Sequence, residues 1–221
     1  MPERGPGRSG ELDALVSAAA DELAASHQAR EAALRACRAT IQASGRSIRA
    51  THRREVATAM TVLAEARRAL DDAHEVLAQF PAIAAAGFLH DAEKEYAEAA
   101  LFAALATEGP LSDHVAARVS PAAWLNGLAE AGSELRRLIL DTLRAGDLAR
   151  AEALLTVMDD VYGLLVAVDY PDAVTGGLRR TTDGFRAVLE RTRSDLTTTL
   201  LQSRLQASID RALTTTEWDP R

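Results

Sequence analysis

The chain has 221 residues, of which 48% are hydrophobic and only 4% aromatic, and its formal net charge is −7. This length fits one domain, or at most two small ones, with a real core, and the acidic balance excludes a uniformly basic nucleic-acid-binding protein. The single cysteine, Cys37, excludes an internal disulfide framework and is typical of a reducing cytosol. No apolar stretch approaches the ~18 residues of a transmembrane helix, and the first ten residues lack the apolar segment of a signal peptide. We therefore expect a cytoplasmic protein without a membrane-spanning segment.

The composition favours helix throughout, because alanine takes about a fifth of the positions and loses no side-chain entropy in a helix. Strict alternation of apolar and polar residues, which a β-sheet would need, is missing. The predicted helices cover residues 11–51, 56–79, 83–107, 121–144 and 148–169, and a last one runs from between 174 and 178 to about 213. We therefore predict an all-α, elongated bundle of about six to seven helices.

Local signals set the predicted boundaries. Ser9 is a candidate N-cap for the first helix, Pro81 ends the second, and the pair Ser120 and Pro121 opens the fourth. Asp147 is the predicted cap of the fifth helix. The predicted organisation is a disordered N-terminus over residues 1–9, a single helical domain over 10–213, and a frayed tail over 214–221.

The third predicted helix carries a carboxylate inside its apolar stripe. At about 100° per residue, Glu95 lies within about 40° of both Phe88 and Ala99, and Glu98 lies on the flank. A carboxylate on an apolar stripe is costly to bury unless it is paired. An arginine, a metal ion or a shared proton would each serve as the partner.

The fourth predicted helix carries a matching pair, Glu130 and Glu134, one turn apart beside its core stripe and near the small residue Gly127. If these two helix flanks face one another, four carboxylates converge in a hard-oxygen environment suited to Mg²⁺ or Mn²⁺. By spacing alone, solvated helix faces without a metal are the commoner interpretation, because pairs of this kind occur on most exposed helices.

The end of the first predicted helix is a ridge of guanidinium groups without any acidic residue between positions 32 and 54. Such a ridge can follow a phosphate backbone and provide salt-dependent affinity. Pairing with acidic faces of neighbouring helices or subunits is an equally good interpretation. The arginine ridge consists of Arg35, Arg38, Arg46, Arg49, Arg53 and Arg54.

Three stretches, taken in order, resemble the translin family, and within it the archaeal members and the translin-associated factor X branch. Residues 92–99 (AEKEYAEA) are similar to a Q/K-E-Y-x-E-A segment of the family, and residues 124–137 (WLNGLAEAGSELRR) to its Y-L-x-G-x-A-D-x-x-x-E-L-x-R segment. Residues 168–173 (VDYPDA), leading into 177–183 (GLRRTTD), are similar to the archaeal form. The resemblance covers residues 32–207.

The resemblance implies an all-α protein that assembles into a closed, octamer-like shell and binds single-stranded RNA or DNA. It further implies a Mg²⁺-dependent endoribonuclease whose catalytic and metal-binding residues are Glu95, Glu98, Glu130 and Glu134. Of these, Glu98 and Glu134 are the predicted direct ligands and Glu95 the predicted base, while Arg46, Arg49 and Arg53 would hold the backbone of the strand. The shell would be a homo-oligomer or include a second translin-type subunit.

One position departs from the family pattern. Glu130 stands where the family usually has Asp, so the carboxylate reaches one methylene further, and misplacement by about an ångström can cost ~10²-fold in rate. Two other functions therefore stay open. One is a non-catalytic shell that binds nucleic acid without cutting it, and the other is a helical scaffold that binds only protein.

Overall fold

Eight α-helices make up residues 8–215, the part of the chain that this computed structural model describes, and no β-strand occurs there. This confirms the predicted all-α bundle, with two one-turn helices beyond the six that the sequence pattern gives. The bounds are α1 Arg8–His52, α2 Val56–Leu77, α3 Pro81–Ala84, α4 Phe88–Thr107, α5 Pro121–Arg144, α6 Leu148–Val166, α7 Asp172–Thr175 and α8 Leu178–Thr215.

Two predicted caps take the expected positions. The Ser120 hydroxyl accepts a hydrogen bond from the Ala123 amide at 3.3 Å, and the Asp147 carboxylate accepts one from the Arg150 amide at 3.0 Å. These bonds satisfy amides that have no partner within the first turn of a helix. They explain why the first residues of α5 and α6 could be predicted from the sequence.

Other boundaries differ from prediction. The third predicted helix is divided, because Gly87 has φ +93 and separates the single turn α3 from α4. The fifth helix ends at Val166 rather than residue 169. Ser9 is no cap but lies within α1, which begins at Arg8, and α8 continues to Thr215, past the start of the predicted frayed tail. The remaining parts of the predicted termini, 1–7 and 216–221, lie outside the described residues.

The core forms where α4 and α5 meet α1, α2, α6 and α8. Its largest fully buried side chains include Phe102, Leu135, Ile139 and Phe185, and small alanines fill the narrow spaces between helices. Cys37 packs in this core, where burial and the nearby charge of Glu93 raise its pKa to about 11. The thiol is therefore protonated at neutral pH, which agrees with a packing role.

The first part of α1 and the last part of α8 project beyond this core as single helices. Every residue from 8 to 25 in α1 and from 201 to 214 in α8 is exposed. Within the described range, no helix is both long enough and apolar enough to cross a bilayer.

Candidate functional site

The backbones of α4 and α5 nearly touch at Gly127. A Cβ placed there would lie 2.8 Å from the carbonyl oxygen of Lys94 and 2.9 Å from the amide nitrogen of Glu98. Since any side chain would force the helices apart, the glycine permits this approach. The approach carries the carboxylates that flank it on α4 and α5 towards each other.

Three of the four predicted carboxylates meet at this point and form what we call the acidic cluster: Glu95, Glu98 and Glu130. One oxygen from each lies within 4.8 Å of the others. Glu98 is buried, whereas Glu95 and Glu130 are half-buried. Such a group of oxygens has the chemistry that hard divalent cations prefer.

Glu98, the buried member of the cluster, is protonated at neutral pH. Burial, the charges of Glu130 and Glu95, and a hydrogen bond with Glu130 raise its pKa to about 9, and Glu134 adds to the effect. Burial also raises the pKa of Glu95, although the charge of Lys94 opposes the shift. The prediction that Glu95 lies inside the apolar stripe and Glu98 on its flank is wrong: Glu98 is the more buried and faces further into the interface of α4 with α5.

Glu134 does not join the group of three. Its carboxylate lies 2.5 Å from Nε2 of His52, whose side chain is only 2% exposed and packs on the ring of Phe102 at 4.7 Å between centroids. The charge of Glu134 still reaches Glu98 and contributes to the raised Glu98 pKa. Glu134 therefore lies beside the acidic cluster and is held by the last residue of α1.

The side chain of Lys94 bridges two members of the acidic cluster, Glu95 and Glu130. The Lys94 ammonium lies 2.9 Å from Glu130 and 3.4 Å from Glu95. Burial lowers the pKa of Lys94, but its hydrogen bond with Glu130 and the two carboxylate charges outweigh burial and raise it. Glu95 and Glu130 share this one ammonium, which leaves the cluster short of positive charge even with Glu98 protonated, so a further cation would stabilise it.

A second buried carboxylate on α4, Glu93, is fully paired instead. It accepts hydrogen bonds from the amide and hydroxyl of Ser120, at 3.0 and 2.7 Å, and lies 2.9 Å from Nε2 of His74. Burial raises its pKa, but these partners outweigh burial and lower it. Glu93 thus fastens the start of α5 to α4 and α2.

All six side chains of the arginine ridge are exposed. Two of them are paired: Arg46 with Glu65 of α2 at 2.6 Å, and Arg53 with Glu55 at 2.8 Å. Among the described residues, the other four, Arg35, Arg38, Arg49 and Arg54, have no ion-pair partner. The ridge is therefore mostly free to contact anions, with its paired members as the exception.

Sequence reasoning missed three side chains that shape this site: Lys94, His52 and Glu93. Lys94 had one available signal, because it is the single lysine in a chain that otherwise uses arginine. His52 had no local signal, because its partner Glu134 lies 82 residues away in sequence. Nothing in the local pattern distinguished Glu93 from a solvated glutamate.

Solved structures with this architecture include C3PO-type proteins. AfC3PO, solved as a complex with duplex RNA, is 31% identical with a TM-score of 0.77, and the match covers 85% of this chain and 97% of that one. A further crystal structure of AfC3PO gives 31% identity and a TM-score of 0.76 over the same shares. The apo form of NeC3PO shares the fold, with a TM-score of 0.70 at 16% identity, over 90% of this chain and all of that one.

Among curated proteins, an uncharacterised protein of Methanocaldococcus jannaschii is 34% identical over 88 residues. This segment is 40% of the present chain and 39% of that protein, so the match spans well under half of either. No protein-family model matches the chain. The likeness to AfC3PO, in contrast, runs over nearly the whole of that structure at 31% identity, and the chain belongs to the translin family, the family of C3PO-type proteins.

Proposed function

We propose that this protein is a metal-dependent endoribonuclease. The observation that carries the proposal is the convergence of Glu95, Glu98 and Glu130, which come from two helices and enclose more negative charge than Lys94 balances. Clustered carboxylates of this kind perturb one another's pKa values, which is typical of functional sites.

The chemistry of the donor set fits Mg²⁺ or Mn²⁺. Three carboxylates supply only oxygen, which hard cations prefer over nitrogen or sulfur. When bound, such an ion polarises a phosphoryl oxygen and lowers the pKa of a water molecule. Glu95, Glu98 and Glu130 would hold it, with Glu134 as a fourth candidate at the edge.

The residues of the chain then divide the remaining tasks. Glu95 is less buried than Glu98, and the charge of Lys94 opposes the rise of its pKa through burial, so it is the better candidate for a general base. His52 fixes the Glu134 carboxylate beside the cluster. Lys94 orients the Glu130 carboxylate through its 2.9 Å contact.

RNA is the substrate class that the family and the charge distribution support. AfC3PO was solved with duplex RNA, and the likeness to it covers 85% of this chain. The unpaired arginines of the ridge offer charge to a phosphate backbone. Our proposal names a single RNA strand as the substrate, and the neighbour's duplex makes double-stranded RNA the necessary comparison.

Cleavage of labelled single-stranded and duplex RNA in Mg²⁺, Mn²⁺ or EDTA tests this function. We expect endonucleolytic products with either metal and none in EDTA, because the carboxylates alone repel the phosphodiester. Binding should persist in EDTA and weaken as salt is raised. RNA that is bound but never cut in any metal would leave only a non-catalytic binding shell. RNA that is not bound even at low salt would favour the protein-binding scaffold.

The projecting helix ends support self-assembly into a shell as part of the same proposal. Each end exposes an apolar stripe at helical spacing, and a monomer seldom leaves stripes of this kind uncovered. The stripes comprise Leu12, Leu15, Val16 and Leu23 on α1, and Leu201, Leu205, Ile209 and Leu213 on α8.

Substitution of Leu205 and Ile209 together by glutamate is expected to reduce the oligomer to smaller species, because the charges would have to be desolvated in the interface. Size-exclusion chromatography with multi-angle light scattering measures the mass. Ala207→Glu is the matched control, since residue 207 is exposed on the opposite side of α8 and its variant should keep the wild-type mass. An unchanged mass in the double variant would exclude this stripe as an interface.

A further inference from the structure

An open cleft of about 610 Å³ adjoins the acidic cluster. It lies between α4, α5 and the beginning of α8, and two of its lining residues, Lys94 and Glu130, belong to the ion-paired network of the cluster. This volume is within the range of ligand-binding pockets. The cleft and the cluster are therefore one continuous surface, and a chain lying in the cleft would pass the carboxylates.

Close packing and buried hydrogen bonds fix the end of the cleft that α7 and α8 form. Gly176, at φ +61, brings its backbone against the ring of His90, and a Cβ there would lie 2.8 Å from that ring. The Asn126 amide is buried and ties α5 to this end, because it donates to the Thr175 carbonyl at 2.8 Å and accepts from the Thr181 hydroxyl at 2.6 Å. These contacts fix the start of α8 relative to the acidic cluster.

Arg180 supplies the free positive charge of the cleft. It is exposed, it lines the cleft, and it has no ion-pair partner among residues 8–215. Lys94, the other strong cation of the lining, is already engaged with Glu130 and Glu95. Asp91 and Glu130 add negative charge to the lining. Among the lining side chains, Arg180 therefore offers the available guanidinium for an anion.

We propose that this cleft holds the RNA backbone next to the bond to be cut, with Arg180 contacting a phosphate that flanks the acidic cluster. This rests on the proposed function, because it names a substrate subsite of the same centre. A guanidinium matches phosphate oxygens in a bidentate geometry. A flanking phosphate in the cleft would position the strand without placing its own negative charge on the carboxylates.

The neighbouring Arg179 makes a matched control. It faces the other side of α8, in a separate pocket beside Tyr162 and Asp183, and it lies 3.4 Å from Asp169. Both arginines are exposed at the start of the same helix, so their substitution should affect folding equally little. They differ in whether they face the acidic cluster.

The test measures the binding of fluorescein-labelled oligouridylate in EDTA by fluorescence anisotropy over a salt series. The proteins compared are the full-length wild type, Arg180→Gln, Arg180→Lys and Arg179→Gln. Arg180→Gln should raise Kd roughly tenfold and reduce the salt slope by about 0.7, the value for one phosphate of a single strand. Arg180→Lys should recover most of the salt slope, and Arg179→Gln should match the wild type.

Equal binding by Arg180→Gln and the wild type, or equal weakening in Arg179→Gln, would overturn the proposal. Because EDTA removes any metal, the binding result does not depend on cleavage. A wild type that binds but never cuts would refute the nuclease while leaving the Arg180 comparison decisive. A wild type that does not bind the RNA would overturn both.

Discussion

Glu98→Gln is expected to lower metal-dependent RNA cleavage by about 10³-fold, because losing one metal-binding carboxylate removes several kcal/mol of transition-state stabilisation. The introduced amide has nearly the same shape and can still donate to Glu130, as the protonated Glu98 does. RNA binding in EDTA should therefore be retained. Single-turnover cleavage at saturating protein measures the chemical step.

Glu152→Gln is the control for activity, since Glu152 is exposed on α6 and makes no contact with the cluster. It should cleave at the wild-type rate. Wild-type cleavage by Glu98→Gln would remove Glu98 from the metal-binding set and with it the main support for the nuclease.

Glu98→Gln should also stabilise the metal-free protein at alkaline pH. The pKa of Glu98 is about 9 in the folded chain against a usual 4.5, so the folded state holds a proton that the unfolded state releases between these values. Stability is therefore lost as pH rises through this window, by at most about 1.4 kcal/mol per pH unit. Glu98→Gln should flatten that slope in urea unfolding experiments with EDTA from pH 6 to 9.

Glu93→Gln, which like Glu98→Gln lies on α4, is expected to have the opposite effect on folding stability. Its lowered pKa means that ionised Glu93 stabilises the fold above its unfolded pKa, and this stabilisation is lost as pH falls. Glu93→Gln should hence destabilise at neutral pH, because His74 and Ser120 lose a charged acceptor. Destabilisation by both variants alike would contradict the assignment of Glu98 as the protonated carboxyl.

Gly127→Ala is expected to destabilise the protein by about 1–3 kcal/mol, the usual cost of overpacking a core. The added methyl would lie 2.8–2.9 Å from backbone atoms of Lys94 and Glu98, which cannot rotate away. The helices must therefore separate, and a shift of about 1 Å between Glu98 and Glu130 should lower cleavage by ~10²-fold. Thermal unfolding and the cleavage assay measure the two effects.

Gly163→Ala is the matched substitution in α6. Apart from the neighbouring residues and backbone of α6 itself, no atom lies within 4 Å of its Cβ position, so the change should raise stability by up to about 1 kcal/mol through helix propensity alone, without changing activity. If Gly127→Ala behaves in the same way, the close approach of α4 and α5 does not constrain the site.

Much of the candidate site could be predicted from the sequence. Helical periodicity selected Glu95, Glu98, Glu130 and Glu134, and the resemblance to the translin family selected the same four. Which of the four carboxylates is most buried could not be predicted from the sequence. Glu98, and not Glu95, is the most buried, because the depth of a carboxylate depends on how far α5 approaches at Gly127.

The helical class and most helix bounds could be predicted from the sequence, because caps, breakers and periodicity act between residues a few positions apart. Which charged side chains meet depends instead on how the helices pack. The partners of Glu134, Glu130 and Glu93 include His52, Lys94 and His74, at separations of 82, 36 and 19 residues. Proton affinities, and the contrast between Arg180 and Arg179, depend on burial and on distances across helices. Both arise only when the helices pack, since desolvation and Coulomb energy follow separation in space and not in sequence.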